Sequence, residues 1–141
     1  MGDLKALNDG GRDFMRVFNV ECRTGKCIRV KDLIYETSEK NRTGMPAFIK
    51  EGEFNAKESN RLPLWIFREQ GMIIMVLMKR ITFNQFITGH LYDDWRILRG
   101  FFPRQDLMLF DYETWKKIIN KESIKEYAKV LFGHDSKGYV E

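Results

Sequence analysis

The hydrophobic pattern of the chain is clearest between Leu62 and Arg80, LPLWIFREQGMIIMVLMKR. Met72 to Met78 is apolar at every position and is bounded by Gly71 and Lys79. A short run with no polar face predicts a central strand covered on both sides. Before it, Leu62, Trp65, Ile66 and Glu69 follow helical spacing. Ser59 or Asn60 would cap that helix, Pro63 falls in its first turn, and Gly71 suits the position after its end. The pattern therefore predicts a helix running directly into a buried strand. RITFNQFI, residues 80–87, is expected to pair beside that strand.

Upstream, DFMRVFNVEC is rich in Phe and Val, and KCIRVKDLIYE alternates, with Cys27, Arg29 and Lys31 opposing Ile28, Val30 and Asp32. Together they predict a β-hairpin turned at Thr24-Gly25, which sets Cys22 across from Cys27. A facing pair is close enough for a disulfide. An intracellular setting favours the other reading, two reduced and half-buried thiols. Residues 37–60 are polar and carry Gly44, Pro46 and Gly52, which predicts a long irregular segment of the kind that often carries function. Downstream, DDWRILRGFFPRQ is broken by Gly100 and Pro103, and LMLF, residues 107–110, reads as a short buried strand. Asp111 would cap a helix carrying Trp115, Ile118 and Ile119. Ser123 with Glu126 forms a capping box for a second helix, with Ile124, Tyr127 and Leu131 on one face and Gly133 at its end. The sum is a single α/β or α+β domain over residues 13–133. It has a mixed central sheet, an N-terminal hairpin and flanking helices, between a polar tail at 1–12 and a frayed tail at 134–141.

A chain of 141 residues can bury a core of its own without disulfides or a metal. The net charge of +4 permits an anionic partner without requiring one. No apolar leader opens the chain, and Met72–Met78 is too short to span a bilayer, so a soluble cytoplasmic protein with no membrane partner is expected. The Gly-rich phosphate loop, the dinucleotide fingerprint and HExxH are all missing. His90 and His134 stand far apart and away from the cysteines, which argues against zinc, and give little support to a Ser-His-Asp triad.

The order of elements carries more. A hairpin, an acidic strand end, a polar loop, a helix ending in EQG, an apolar strand and LMLFDYETWKKII follow one another, with EKNRTGMP at 39–46 in the loop. Over residues 13–120 this order resembles the PD-(D/E)xK nuclease superfamily, in particular the bacterial Holliday-junction resolvases. The resemblance implies clustered carboxylates holding Mg²⁺, with a lysine beside them to polarise water or phosphate. Glu21 would be the first acid, with Asp32 and Asp13 as alternatives, and Glu36 the second, so that Glu21 and Glu36 ligate the metal. Thr37-Ser38 stands where the family places x-Lys, so Lys40 would have to supply the lysine from the loop.

A second candidate surface is WRILRGFFPR. Arg96, Arg99 and Arg104 interleave with Trp95, Phe101 and Phe102, a pattern that can clasp phosphates and stack on bases. Arg42, with Lys40, Lys50 and Lys57, would extend a basic rim. Two functional readings result. One is a small basic accessory protein, of a kind that suits a phage or mobile element, binding nucleic acid or a partner protein without catalysis. The other is a Mg²⁺-dependent nuclease acting on DNA. The C-terminal helices carry lysines and glutamates of mixed sign, which reads as a solvated face, the alternative being contact with a second copy in a homodimer.

Overall fold

The computed structural model describes residues 9–26, 28–34, 44–89, 100–104 and 106–132. Its elements, in chain order, are α1 (Asp9–Val17), β1 (Phe18–Gly25), α2 (Lys31–Ile34), α3 (Met45–Glu58), β2 (Leu62–Glu69), β3 (Met75–Lys79), α4 (Arg80–Gly89), β4 (Gly100–Arg104), β5 (Leu107–Asp111), α5 (Tyr112–Ile118) and α6 (Lys121–Phe132). The expected mixed α/β architecture is found. Five strands form one sheet in the order β1-β2-β3-β5-β4, with β1 and β2 parallel and the other neighbours antiparallel.

Strand alternation divides the core between the two faces of the sheet. On one face Phe18, Val20, Leu64, Val76, Met78, Met108 and Phe110 pack with residues of α1, α4, α5 and α6. On the other, Trp65, Phe67, Leu77, Leu107 and Leu109 pack beneath Met45, Phe48 and Ile49 of α3, with Leu33 of α2 beside them. Because both faces are covered, the central strands need apolar residues on both sides, as β3 has over Met75–Met78 and β5 over Leu107–Phe110.

Several expected elements are placed differently. The hairpin turned at Thr24-Gly25 does not form. β1 pairs instead with β2, Cys22 opposite Ile66 and Gly25 opposite Glu69, while residues 28–30 are irregular and Lys31–Ile34 makes one turn of helix. The helix expected after Asn60 is strand β2, and the strand expected at residues 80–87 is helix α4. Both are short segments whose apolar residues fit either period, and so short a stretch does not separate strand from helix. Gly71, at φ 81°, opens the β2–β3 turn rather than closing a helix. The predicted strand at Met72–Met78 is real and central but starts at Met75. Met72, Ile73 and Ile74 form the exposed connection before it.

The part of the polar segment from Met45 to Glu58 is helix α3, with Pro46 in its first turn. Its inward positions are Met45, Phe48, Ile49, Gly52 and Ala56, a helical stripe in which two of the five side chains are minimal. The small residues serve a close approach. A Cβ on Gly52 would run into the Trp65 indole, whose Nε1 donates to the Phe48 carbonyl at 3.0 Å.

The last two helices follow the sequence closely. Asp111 accepts from the Thr114 amide at 2.7 Å and caps α5. The second capping box is shifted by three residues. The Asn120 side chain accepts from the Ser123 amide at 3.0 Å while the Ser123 hydroxyl accepts from the Asn120 amide at 2.9 Å, so α6 starts at Lys121.

The corrected start of β3 separates two substitutions. Val76 is fully buried between two neighbouring strands, so Val76→Asp places an unpaired carboxylate in the core, costs several kcal/mol and abolishes cooperative folding. Ile74 is 43% exposed, so Ile74→Asp stays folded and shifts stability by no more than about 1 kcal/mol. Thermal unfolding followed by circular dichroism distinguishes the two, and a folded Val76→Asp protein refutes the central placement of β3.

Candidate functional site

β1 is an edge strand, and its residues Asn19, Glu21 and Arg23 share the face covered by α3. Asn19 is fully buried and Glu21 is 6% exposed. The Glu21 carboxylate is held by two amide groups through one oxygen. Oε1 accepts from Asn19 Nδ2 at 3.1 Å and from Asn55 Nδ2, on α3, at 2.8 Å. Two rungs further on, Arg23 donates to Glu51 of α3 at 2.8 Å and lies over the Phe48 ring, 5.1 Å from its centroid. Glu21 thus belongs to a set of polar contacts that fasten α3 to the edge of the sheet.

The contacts of Glu21 with described residues, Asn19 and Asn55, include no second carboxylate. The residues in line with Glu21 across the sheet are Trp65, Leu77 and Leu109. Asp13 is buried on α1 near Arg16, with 3.7 Å between Oδ1 and Nη1. Asp32, on α2, pairs with Arg29 just before it at 3.3 Å. Glu53 and Asp106 both meet Lys79, at 3.3 and 3.1 Å. Among the described residues no three acidic, histidine or cysteine side chains gather at one point. Mg²⁺ needs near-octahedral oxygen ligation anchored on carboxylates. A single carboxylate with one oxygen engaged by two amide donors does not fit that demand. Glu36, Lys40 and Arg42 lie outside the described residues, as do Cys27, His90, His134, Trp95, Arg96 and Arg99. The Glu21–Glu36 pair is therefore represented by Glu21 alone. Cys22 is an exposed residue of β1, in register with Ile66 rather than with Cys27.

The basic and aromatic segment enters the sheet at Gly100. β4 runs from Gly100, opposite Phe110, to Arg104, opposite Leu107, as an edge strand with a register shift between Phe101 and Arg104. Pro103 is compatible with an edge strand, where one side of the backbone has no ladder to serve. The two ends of this strand lie at opposite ends of the sheet. Arg104 shares one end with Lys79 and Leu107. Gly100 shares the other with the last residues of β1, β2 and β5.

That second end gathers exposed cations from segments that lie apart in the sequence. Its exposed cations are Lys26 just beyond β1, Arg68 near the end of β2, Arg29 just before α2 and Lys31 at its start. α2 is placed there by the Val30 amide, which donates to Glu69 at 3.3 Å. The acids at this end are engaged within the fold. Glu69 accepts from Val30, Asp111 caps α5, Asp32 pairs with Arg29, and Glu113 pairs with Lys116 at 3.2 Å. Lys26 and Lys31 enter no ion pair with the described residues. The register that sets Gly25, next to Lys26, against Glu69 comes from the parallel β1–β2 pairing, which the expected hairpin excludes.

No helix among the described residues is long and apolar enough to cross a membrane. No family model, curated protein or solved structure matches the chain.

The two roles open to Glu21 diverge under substitution. As a strut, it can be replaced by Gln, whose carbonyl oxygen accepts from the same two amides, with little change in stability. Glu21→Ala leaves the Asn19 and Asn55 amides without their acceptor and costs about 1–3 kcal/mol. Chemical denaturation of both variants checks the order. Equal destabilisation by Gln and Ala would show that the charge, not the hydrogen-bonding geometry, holds α3 in place.

Proposed function

We propose that this chain is a non-catalytic basic module that binds nucleic acid at the end of the sheet formed by the last residues of β1 and β2. The observation that carries the reading is the sorting of charge there. Each acid described at that end is turned to an internal partner, while Lys26, Lys31 and Arg68 are exposed to solvent. Cations grouped on one face bind a phosphate backbone by releasing its condensed counterions, and a net charge of +4 supplies attraction at longer range. The basic and aromatic stretch expected to contact nucleic acid joins the sheet at this same end, at Gly100. Arg104, at the other end of β4, is remote from these cations and is assigned no phosphate.

The nuclease reading would need Glu21 to take a metal as well as its two amide donors. Incubation with branched, single-stranded and duplex DNA, with and without Mg²⁺, tests it directly. Cleavage that Glu36→Gln abolishes without loss of folding would establish the enzyme and displace the binding module.

For the binding reading, the quantity to measure is the dependence of duplex affinity on salt. Each phosphate contact removed lowers the slope of log K against log salt by about 0.9. Replacing Lys26, Lys31 and Arg68 together by Ala is expected to flatten the slope by two to three times that amount, and Arg104→Ala to leave it unchanged. A triple variant that binds like the parent, or a parent that binds no nucleic acid at low salt, refutes the assignment.

A further inference from the structure

The turn between β2 and β3 carries three consecutive large apolar residues in solvent. Met72 is 40% exposed, Ile73 62% and Ile74 43%. Exposed apolar side chains usually occur singly, and a contiguous group marks a contact surface. The backbone here is tied down on all sides. The Met72 amide donates to the Glu69 carbonyl at 3.0 Å, and Arg68 Nε donates to the Met72 carbonyl at 3.0 Å. The Tyr112 amide donates to the Ile74 carbonyl at 3.0 Å, which fastens the turn to the start of α5. Gly71, at φ 81°, provides the reversal that projects the three residues beyond the sheet. The side chains are therefore held out on a braced loop.

The turn stands among the cations of the proposed interface. Arg68 grips it directly, and Lys26 follows Gly25, the residue paired with Glu69 at the end of the ladder. Lys31 lies on the segment anchored to Glu69 through Val30. A narrow apolar projection flanked by positive charge suits a surface that is anionic outside and apolar within a slit. Duplex DNA offers this at a base step, where architectural proteins insert Ile, Leu, Met or Phe from the minor groove. Other occupants fit less well. A second copy of the chain needs about 800 Å² of buried surface per partner, far more than three side chains present. A bilayer is held only marginally by a whole myristoyl chain, and these side chains offer less.

We infer that Met72–Ile74 is a wedge that enters the minor groove of duplex DNA and parts a base step, with Lys26, Lys31 and Arg68 on the flanking phosphates. The inference rests on the nucleic-acid reading above and adds to it a mode of binding and a preference for deformable sequence. Pyrimidine–purine steps, which unstack most easily, are the expected sites of entry.

The test uses the full chain and a duplex carrying 2-aminopurine beside a central TA step, since this base brightens when unstacked. Binding of the parent protein is expected to raise the fluorescence. The double variant Ile73→Ser/Ile74→Ser, both at exposed positions, is expected to melt like the parent and keep its salt slope. It should lose the fluorescence rise and bind about tenfold more weakly, the loss expected when the wedge contact is removed. Ile73→Ser alone, at the most exposed position, provides the same readout should the double variant fold poorly. A parent that binds duplex without brightening the probe, or a double variant that brightens it equally, overturns the wedge and leaves the electrostatic reading intact. A parent that binds no duplex at low salt overturns both. Sedimentation with phosphatidylserine vesicles that depends on Ile73 and Ile74 would assign the turn to a lipid surface and overturn the wedge as well.

Discussion

Two parallel strands cannot be joined by a tight turn, so the chain between β1 and β2 has to leave the sheet, cross one face and return. α3 makes that crossing, and the contact between Gly52 and the Trp65 indole sets how closely it does so. With the helix that low, its polar side chains reach the strands beneath. Asn55 meets Glu21 on β1, Glu51 meets Arg23 two residues further along, and Glu53 meets Lys79 on β3. One steric fact, a glycine over a tryptophan, thus aligns three polar contacts. A larger residue at position 52 would lift the helix and loosen all of them together, since overpacking a close contact of this kind displaces backbone as well as side chains.

The same crossing explains what was legible in the sequence. β3, β5, α5 and α6 could be read because their signals are local: an unbroken apolar run, a short apolar run ahead of Asp111, and capping residues at fixed offsets. Over segments 45–58 and 62–69 the sequence pattern misleads, for linked reasons. α3 spends two of its inward positions on Gly52 and Ala56, which removes most of the hydrophobic period from a true helix. β2 has apolar residues toward both faces, Leu64 and Ile66 on one and Trp65 and Phe67 on the other, which erases the alternation of a true strand. Helix α4 is written in β-favouring residues and starts directly at the end of β3, and among its residues of described burial only Thr82 and Phe83 turn inward. Tertiary placement overrode local preference in each case.

Less of the candidate site was legible. Glu21 stood out as an acid on a strand, and Asn19 two residues before it was bound to share its face. Asn55, its second partner, lies in a segment read as irregular. The metal-binding expectation required a neighbouring strand bearing Glu36. Among the described residues the neighbour is β2, which offers Trp65 at the corresponding rung. The grouping of Lys26 with Arg68 was hidden for the same reason. Their proximity is a matter of parallel register between residues more than forty positions apart, for which a single chain carries no local mark.

A basic net charge alone says little about function, because a charge of this size spread evenly over a small domain is mostly screened within one Debye length, about 8 Å at physiological ionic strength. What matters is how the charges are placed. At the Gly25–Glu69 end of the sheet the acids are held in contacts within the fold: Glu69 and Asp111 accept from backbone amides, Asp32 pairs with Arg29 and Glu113 with Lys116. Those contacts are needed for the fold whether or not a ligand binds, since they position α2 and start α5. The same side chains that secure local structure therefore leave Lys26, Lys31 and Arg68 outside any ion pair with the described residues, beside an apolar turn. The resulting surface does not depend on any catalytic group, so it stands independently of whether Glu36 and Lys40 complete a site with Glu21.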